Sequence, residues 1–263
     1  MLAVDNSHPW WLWPNLLSLD APAIAVVWQS FLSTSEGVEV PLAATVTLAL
    51  VVWSIYLIDR WLDARRHRLC GTDRHRFAAR NPRTVAGLAF LATPAAGTIA
   101  GVGLPFTYLE VGGGVAVLSM GYFTVVHLTH ARRSLFRGFK EVSVGAVFAI
   151  GVAIPLIVGT TQTSPQWVPG VIAFGALCGL NCILISRWEE SASSAPSGWT
   201  ALAVGAIAVS ASVGARFPVS VAILASLGLL VGLDLIRNRI STRGLRVLVD
   251  AALLTPLFVA VVA

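Results

Sequence analysis

Charge is what this chain of 263 residues has least of. Asp, Glu, Lys and Arg together make up 12 % of it, and lysine occurs once, as Lys140. Soluble domains carry about twice that charged fraction. With 56 % apolar residues and a mean hydropathy of +0.78, a water-soluble globular fold is excluded. Cysteine is scarce as well: Cys70, Cys178 and Cys182 are an odd number, two of them inside one apolar run, so no disulfide framework is implied. Cys178 and Cys182 lie one helical turn apart and read as small apolar space-fillers. There is no phosphate-binding loop, dinucleotide fingerprint or zinc-protease motif, and His127 and His130 have no third ligand nearby in sequence. The first twenty residues hold no Lys or Arg and no small-residue cleavage site, which is not the pattern of a removed signal peptide.

What is abundant is apolar sequence in long runs. Crossing about 30 Å of hydrocarbon takes roughly 17 to 25 residues of helix. Runs of about that length recur at Leu16 to Phe31, Val38 to Ile58, Thr84 to Val102, Tyr108 to Thr129, Val142 to Gly159, Val168 to Ser186, Trp199 to Val213, Val219 to Ile236 and Val247 to Ala263. The expectation is an all-α, polytopic membrane protein of about nine transmembrane helices forming one domain over residues 1–263. Asp20 interrupts the first run and the seventh is short. Trp10, Trp11 and Trp13 read as an interfacial anchor. The long polar stretches, Arg60 to Arg83 and Glu189 to Ser197, read as surface loops.

The cations set the orientation. Eight Arg lie between Arg60 and Arg83. Three Arg and Lys140 follow the fourth run, Arg187 closes the sixth, and Arg237, Arg239, Arg243 and Arg246 follow the eighth. All of these follow even-numbered runs, whereas the opposite connections hold Arg216 alone. The positive-inside rule then puts the N-terminus in the cytoplasm and the C-terminus across the membrane, the plasma membrane if the source is bacterial. The net charge of +5 describes that cytoplasmic face, whose partners are anionic lipid headgroups. No nucleic-acid partner is expected.

Carboxylates gather at the same level. Asp59 and Asp63 end the second run, Glu189 and Glu190 the sixth, Asp234 the eighth, and Asp250 opens the ninth. Acids at helix ends in a bilayer call for partners. Asp59 and Asp63, four apart, share one helix face and would repel unless a cation lies between them. That cation is either Arg60, Arg65 or Arg66, or a Mg²⁺ whose octahedron is completed by phosphate oxygens. Asn181 and Glu189 lie about 80° apart on one helix and could border one cavity with Ser186. Arg132, Arg133, Arg137 and Lys140 supply cations at that depth, Arg being able to grip phosphate bidentately.

This layout resembles the UbiA superfamily of intramembrane prenyltransferases. The stretch from Ser54 to Asp63 falls where that family carries its first Asp-rich motif, Arg132-Arg133 with Lys140-Glu141 and Gly145 where it has a basic pair and a helix start, and Asn181 to Glu189 at its second Asp-rich motif. The leading Asn-Asp of the first motif is Ile55-Tyr56 here, and only Glu189 remains of the second motif's acids. The resemblance implies helices around a central cavity open to the cytoplasm and a Mg²⁺-dependent enzyme that ionises an allylic isoprenoid diphosphate. Asp59 and Asp63 would be metal ligands, with Glu189 and Asn181 as the second set. Arg132, Arg133 and Lys140 would clamp the diphosphate with Arg66 and Asp250 beside them, and Tyr56 would stabilise a carbocation through its ring. Transfer to an acceptor makes a prenyltransferase, and intramolecular capture makes a terpene cyclase. A non-catalytic isoprenoid-lipid binding protein on the same scaffold is the reading from another class. A transporter is disfavoured because the polar residues crowd one face instead of breaking helices at mid-membrane.

Overall fold

A computed structural model describes residues 10–66, 73–128, 138–159, 165–189 and 198–262, with side chains placed for all of these except residues 10, 63, 64, 66, 73–75, 123, 125–128, 261 and 262. Among the described residues the structure is helical throughout, without a strand. Four helices are long and apolar enough to cross a membrane: α3 (Leu42–Arg66), α5 (Pro82–Gly103), α9 (Val168–Glu189) and α11 (Phe217–Ile236). Around them stand α1 (Trp13–Leu16), α2 (Asp20–Ser35), α4 (Asp73–Arg80), α6 (Phe106–Leu128), α7 (Phe139–Val152), α8 (Ile154–Gly159), α10 (Gly198–Val213), α12 (Thr242–Ala251) and α13 (Pro256–Val262).

Helix α9 is the centre of the bundle. Of its apolar window 61 % is buried, against 22 to 33 % for the other three. Lipid tails are as apolar as leucine, so helices in a bilayer associate through close packing more than through hydrophobic exclusion. Small residues provide this where α7 meets α9. A Cβ added at Gly145 would stand 2.6 Å from the Gly179 amide nitrogen and closer still to the Gly175 carbonyl oxygen. Around this contact Trp28 of α2 stacks on Phe174 of α9, with ring centroids 4.5 Å apart, and Leu177, Ile183, Ile223, Leu230 and Leu253 complete a fully buried core. A second, smaller cluster joins α3, α4 and α5 through Leu57, Ala78, Val85 and Ala89.

The structure departs from the sequence expectation in three places. The Arg60 to Arg83 stretch contains α4, whose Ala78 is buried and whose Phe77 meets Trp13 edge-on at 6.0 Å. A face of one or two apolar residues docks a short helix that hydropathy averaging reads as loop. The fifth run is divided at Ala153 between α7 and α8, and the ninth by a 3₁₀ turn at Ala252–Leu254. Pro155 and Pro256 are the cause, each lacking the amide that would continue the ladder. At the second break neighbours satisfy the backbone. The Trp28 indole donates to the Leu253 carbonyl at 2.7 Å, and the Thr255 hydroxyl, 2.7 Å from that of Ser226, donates to the Ala222 carbonyl at 2.9 Å. The 190–197 connection lies outside the described residues.

The two ends of the bundle differ in chemistry. At one, Arg216 ahead of α11 pairs with Glu36 after α2 at 3.1 Å and reaches Gln166 ahead of α9 at 3.4 Å, tying three connections together. At the other end the polar side chains of five helices meet.

Candidate functional site

The turn between α1 and α2 starts the site. Ser18, fully buried, adopts φ +57°, a left-handed conformation uncommon outside glycine and asparagine. This turn folds Asn15 back onto the first residue of α2, so that the Asn15 amide donates to Asp20 Oδ2 at 2.7 Å while Asp20 Oδ1 accepts the Ala21 amide at 3.0 Å. The same Asn15 nitrogen approaches Asp250 Oδ2 on α12 at 3.5 Å. Asp250 Oδ1 accepts a hydrogen bond from Asn181 Nδ2 of α9 at 3.2 Å. Asn181 is 7 % exposed, and its Oδ1 is buried with no hydrogen-bond partner among the described residues. Tyr56 of α3 completes this inner layer, with Asp20, Asp250, Cys178 and Cys182 close enough to act electrostatically on its phenol.

An outer layer lies nearer the helix ends. Arg246, whose side chain is 6 % exposed, grips Glu189 with both nitrogens, Nη1 to Oε1 at 2.7 Å and Nη2 to Oε2 at 3.0 Å. Helices α9 and α12 run antiparallel here, so Asn181 meets Asp250 while Glu189 meets Arg246. Ser186 donates to Glu141 of α7 at 3.0 Å. Asp234 accepts from the Trp188 indole at 2.9 Å and from Arg237 at 2.6 Å. Asp59 sits half-buried on α3, with Tyr122 of α6 within its electrostatic reach and within that of Glu141 and Cys182. Arg60 and Arg246 are the buried cations among the described residues.

Neither a family model, nor a curated protein, nor a solved structure matches this chain.

Of the residues expected from sequence, Asn181 and Asp250 are hydrogen-bonded, and Tyr56 lies within electrostatic reach of Asp250. Asp59 stands one turn from Tyr56 on the same helix. Glu189 is brought to the same end but is engaged by Arg246. The long Arg246 side chain reaches across to α9, and Asp250 takes the Asn181 amide. Lys140 lies in the first turn of α7 with its side chain exposed and its carbonyl accepting from the Tyr122 hydroxyl at 3.2 Å. Arg132 and Arg133 lie outside the described residues, as do the side chains of Asp63 and Arg66. Cys178 and Cys182 are both free thiols, and Cys178 is buried, as space-filling residues would be. Sequence reasoning missed Asn15, Asp20 and the Glu141–Ser186 contact. Asp20 had announced itself as an acid within an apolar run, the signal that marks an intramembrane site. Asn15 carried no such signal.

The donors bear on a metal. The unbroken course of α3 through Arg66 keeps Asp59 and Asp63 one turn apart on one face, the spacing that suits an oxygen-ligated divalent ion. Among the described residues no three acids, histidines or cysteines converge on one point. A Mg²⁺ bound at the Asp59 and Asp63 pair would therefore take most of its shell from water and substrate oxygens, which is the usual habit of that ion.

Proposed function

We propose that this protein is a membrane-embedded enzyme that ionises an allylic isoprenoid diphosphate and transfers the prenyl group to an acceptor, in the manner of the UbiA-type prenyltransferases that its layout resembles. The observation that carries the reading is the convergence of polar side chains from α1, α2, α3, α9 and α12 at one end of a bundle that is otherwise apolar. Bound Mg²⁺ supplies electrophilic stabilisation of the leaving diphosphate. Asp59 and Asp63 would hold that ion, and Arg132, Arg133 and Lys140, with Arg66, would balance the charge of the diphosphate. The ring of Tyr56 shelters the allylic cation, and the apolar helices around it exclude water that would quench the cation. The nine-span arrangement with a cytoplasmic N-terminus belongs to this proposal. It is supported by the Arg-rich connections beside the polar end and by the lone Arg216 at the other.

One observation favours a second reading. Glu189, expected among the metal ligands, is held by a buried guanidinium, as it would be in a non-catalytic isoprenoid-binding protein built on the same scaffold. The experiment that decides measures diphosphate release from allylic prenyl diphosphates of several lengths by the protein in lipid, with and without Mg²⁺, beside Asp59→Asn and Asp63→Asn. Mg²⁺-dependent release lost in both variants is the result expected, and product analysis with and without acceptors separates transferase from cyclase. Binding of the lipids with no release at any length would replace the enzyme by the binding protein.

A further inference from the structure

Every capture of an allylic cation releases a proton. When a hydroxyl or an electron-rich ring attacks, its electron pair forms the bond to the prenyl carbon, and the hydrogen it carried must leave as H⁺. A cation that closes on itself loses a proton from carbon instead. In a site that keeps water out, a side chain has to take that proton.

The acids at the polar end differ in their fitness for this. Asp59 and Asp63 are the metal ligands of the proposed enzyme. Glu189 is gripped by Arg246 and Asp234 by Arg237, and a guanidinium beside a carboxylate makes it a poorer base. Asp20 uses both oxygens, one for the Asn15 amide and one for the Ala21 backbone, and Asp250 lies between Asn15 and Asn181. Glu141 is engaged less than any of these. One of its oxygens, Oε1, accepts from the neutral Ser186 hydroxyl at 3.0 Å, and Oε2 accepts no hydrogen bond among the described residues.

Close packing puts Glu141 where it stands. Gly179, Cys182 and Ser186 share one face of α9. A Cβ added at Gly179 would lie 3.4 Å from the Val142 Cα and 3.6 Å from the Glu141 carbonyl oxygen. The first turn of α7 is therefore pressed onto that face, within reach of Ser186. Tyr122 of α6 marks the other side, since Cys182, Glu141 and Asp59 all act electrostatically on its phenol. Side chains of α3, α6, α7 and α9 thus gather around one point, with the metal-binding acid Asp59 on one helix and Glu141 on another. The amides at the start of α7 favour a negative charge in its first turn, which holds Glu141 in the proton-accepting form.

We propose that Glu141 is the proton acceptor of this site: Oε2 takes the proton released when the allylic cation is captured, and Ser186 is the positioning residue that holds the carboxylate through Oε1. The carbon–oxygen bond to the diphosphate breaks with its electron pair leaving on the diphosphate, the nucleophile's pair makes the new bond, and the proton passes to Glu141. No further reactant is needed. The assignment rests on the prenyl-transfer reading and deepens it, since the acceptor is then a nucleophile that arrives carrying its proton, a hydroxyl or an electron-rich ring.

The test supplies geranyl, farnesyl and geranylgeranyl diphosphates with Mg²⁺ to the full chain in nanodiscs, with hydroquinone as the probe acceptor, and measures diphosphate release and organic products separately. Glu141→Gln keeps an acceptor for the Ser186 hydroxyl but cannot take a proton. The result expected is diphosphate release as in the parent, with prenylated or cyclised product down about a hundredfold or more and the chains recovered as prenyl alcohols formed by water. Glu141→Asp restores part of the product, and Ser186→Ala shifts the ratio toward alcohol to a smaller extent. An unchanged product ratio in Glu141→Gln, release lost in step with product, or a parent protein that yields alcohol alone would each overturn the assignment. A parent that releases no diphosphate removes the prenyl-transfer reading itself and this role with it, so the two failures are told apart.

Discussion

Arg246→Met should be among the most damaging single changes in this protein, and its size can be worked from the geometry. The Arg246 side chain is 6 % exposed and holds Glu189, 21 % exposed, through two short contacts. Removing one partner of a buried ion pair costs about 3 to 5 kcal/mol, because the other charge is left behind in low dielectric. Glu189 keeps a fifth of its surface in contact with solvent, which puts the expectation near the lower bound, about 3 kcal/mol. Glu189→Gln keeps an acceptor for the guanidinium and should cost about 2 kcal/mol. The double variant strands neither charge and should be less destabilised than Arg246→Met alone, giving a coupling of about 2 kcal/mol or more in a double-mutant cycle. Reversible denaturation of the four proteins in mixed micelles measures this. A coupling below about 0.5 kcal/mol, the level of an exposed surface pair, would refute the claim that the two helix ends are locked by charge.

Four further outcomes follow from packing and orientation. Gly145→Val should destabilise by about 1 to 3 kcal/mol or more through overpacking, because the added Cβ meets the α9 backbone. Gly112→Ala, where a Cβ meets nothing within 4 Å, should be neutral or slightly stabilising in the same denaturation assay. Trp28→Phe should cost about 1 to 3 kcal/mol by leaving the Leu253 carbonyl without its donor, with a matching fall in the denaturation midpoint. In a Cys70→Ser background, Ser35→Cys should react with a membrane-impermeant maleimide in intact cells and Arg239→Cys only after the cells are opened. The opposite pattern would invert the orientation.

The helical content and the apolar runs were legible because a bilayer imposes a length on each helix that composition alone reveals. Helices α9 and α11 follow the runs from Val168 and Val219 closely. The divided spans were harder to see, since Pro155 and Pro256 sit within otherwise apolar stretches and hydropathy counts a proline as one neutral residue. At the polar end, the periodicity placed Asn181 and Glu189 on neighbouring faces but could not say which partners α12 would present. Arg246 reaches Glu189 only because α9 and α12 run antiparallel, a tertiary fact with no local trace. Asn15 was unreadable for the same reason: its importance arises from the turn at Ser18.

The bond from Trp28 to Leu253 spans 225 residues of sequence. A ribosome adding about 5 to 20 residues per second needs on the order of ten to forty-five seconds to travel that distance. During that interval the tryptophan at the heart of the bundle lacks the acceptor that Leu253 will supply. The segment around Leu253 therefore acts as a keystone: the earlier helices can be inserted one by one well before their packing is locked.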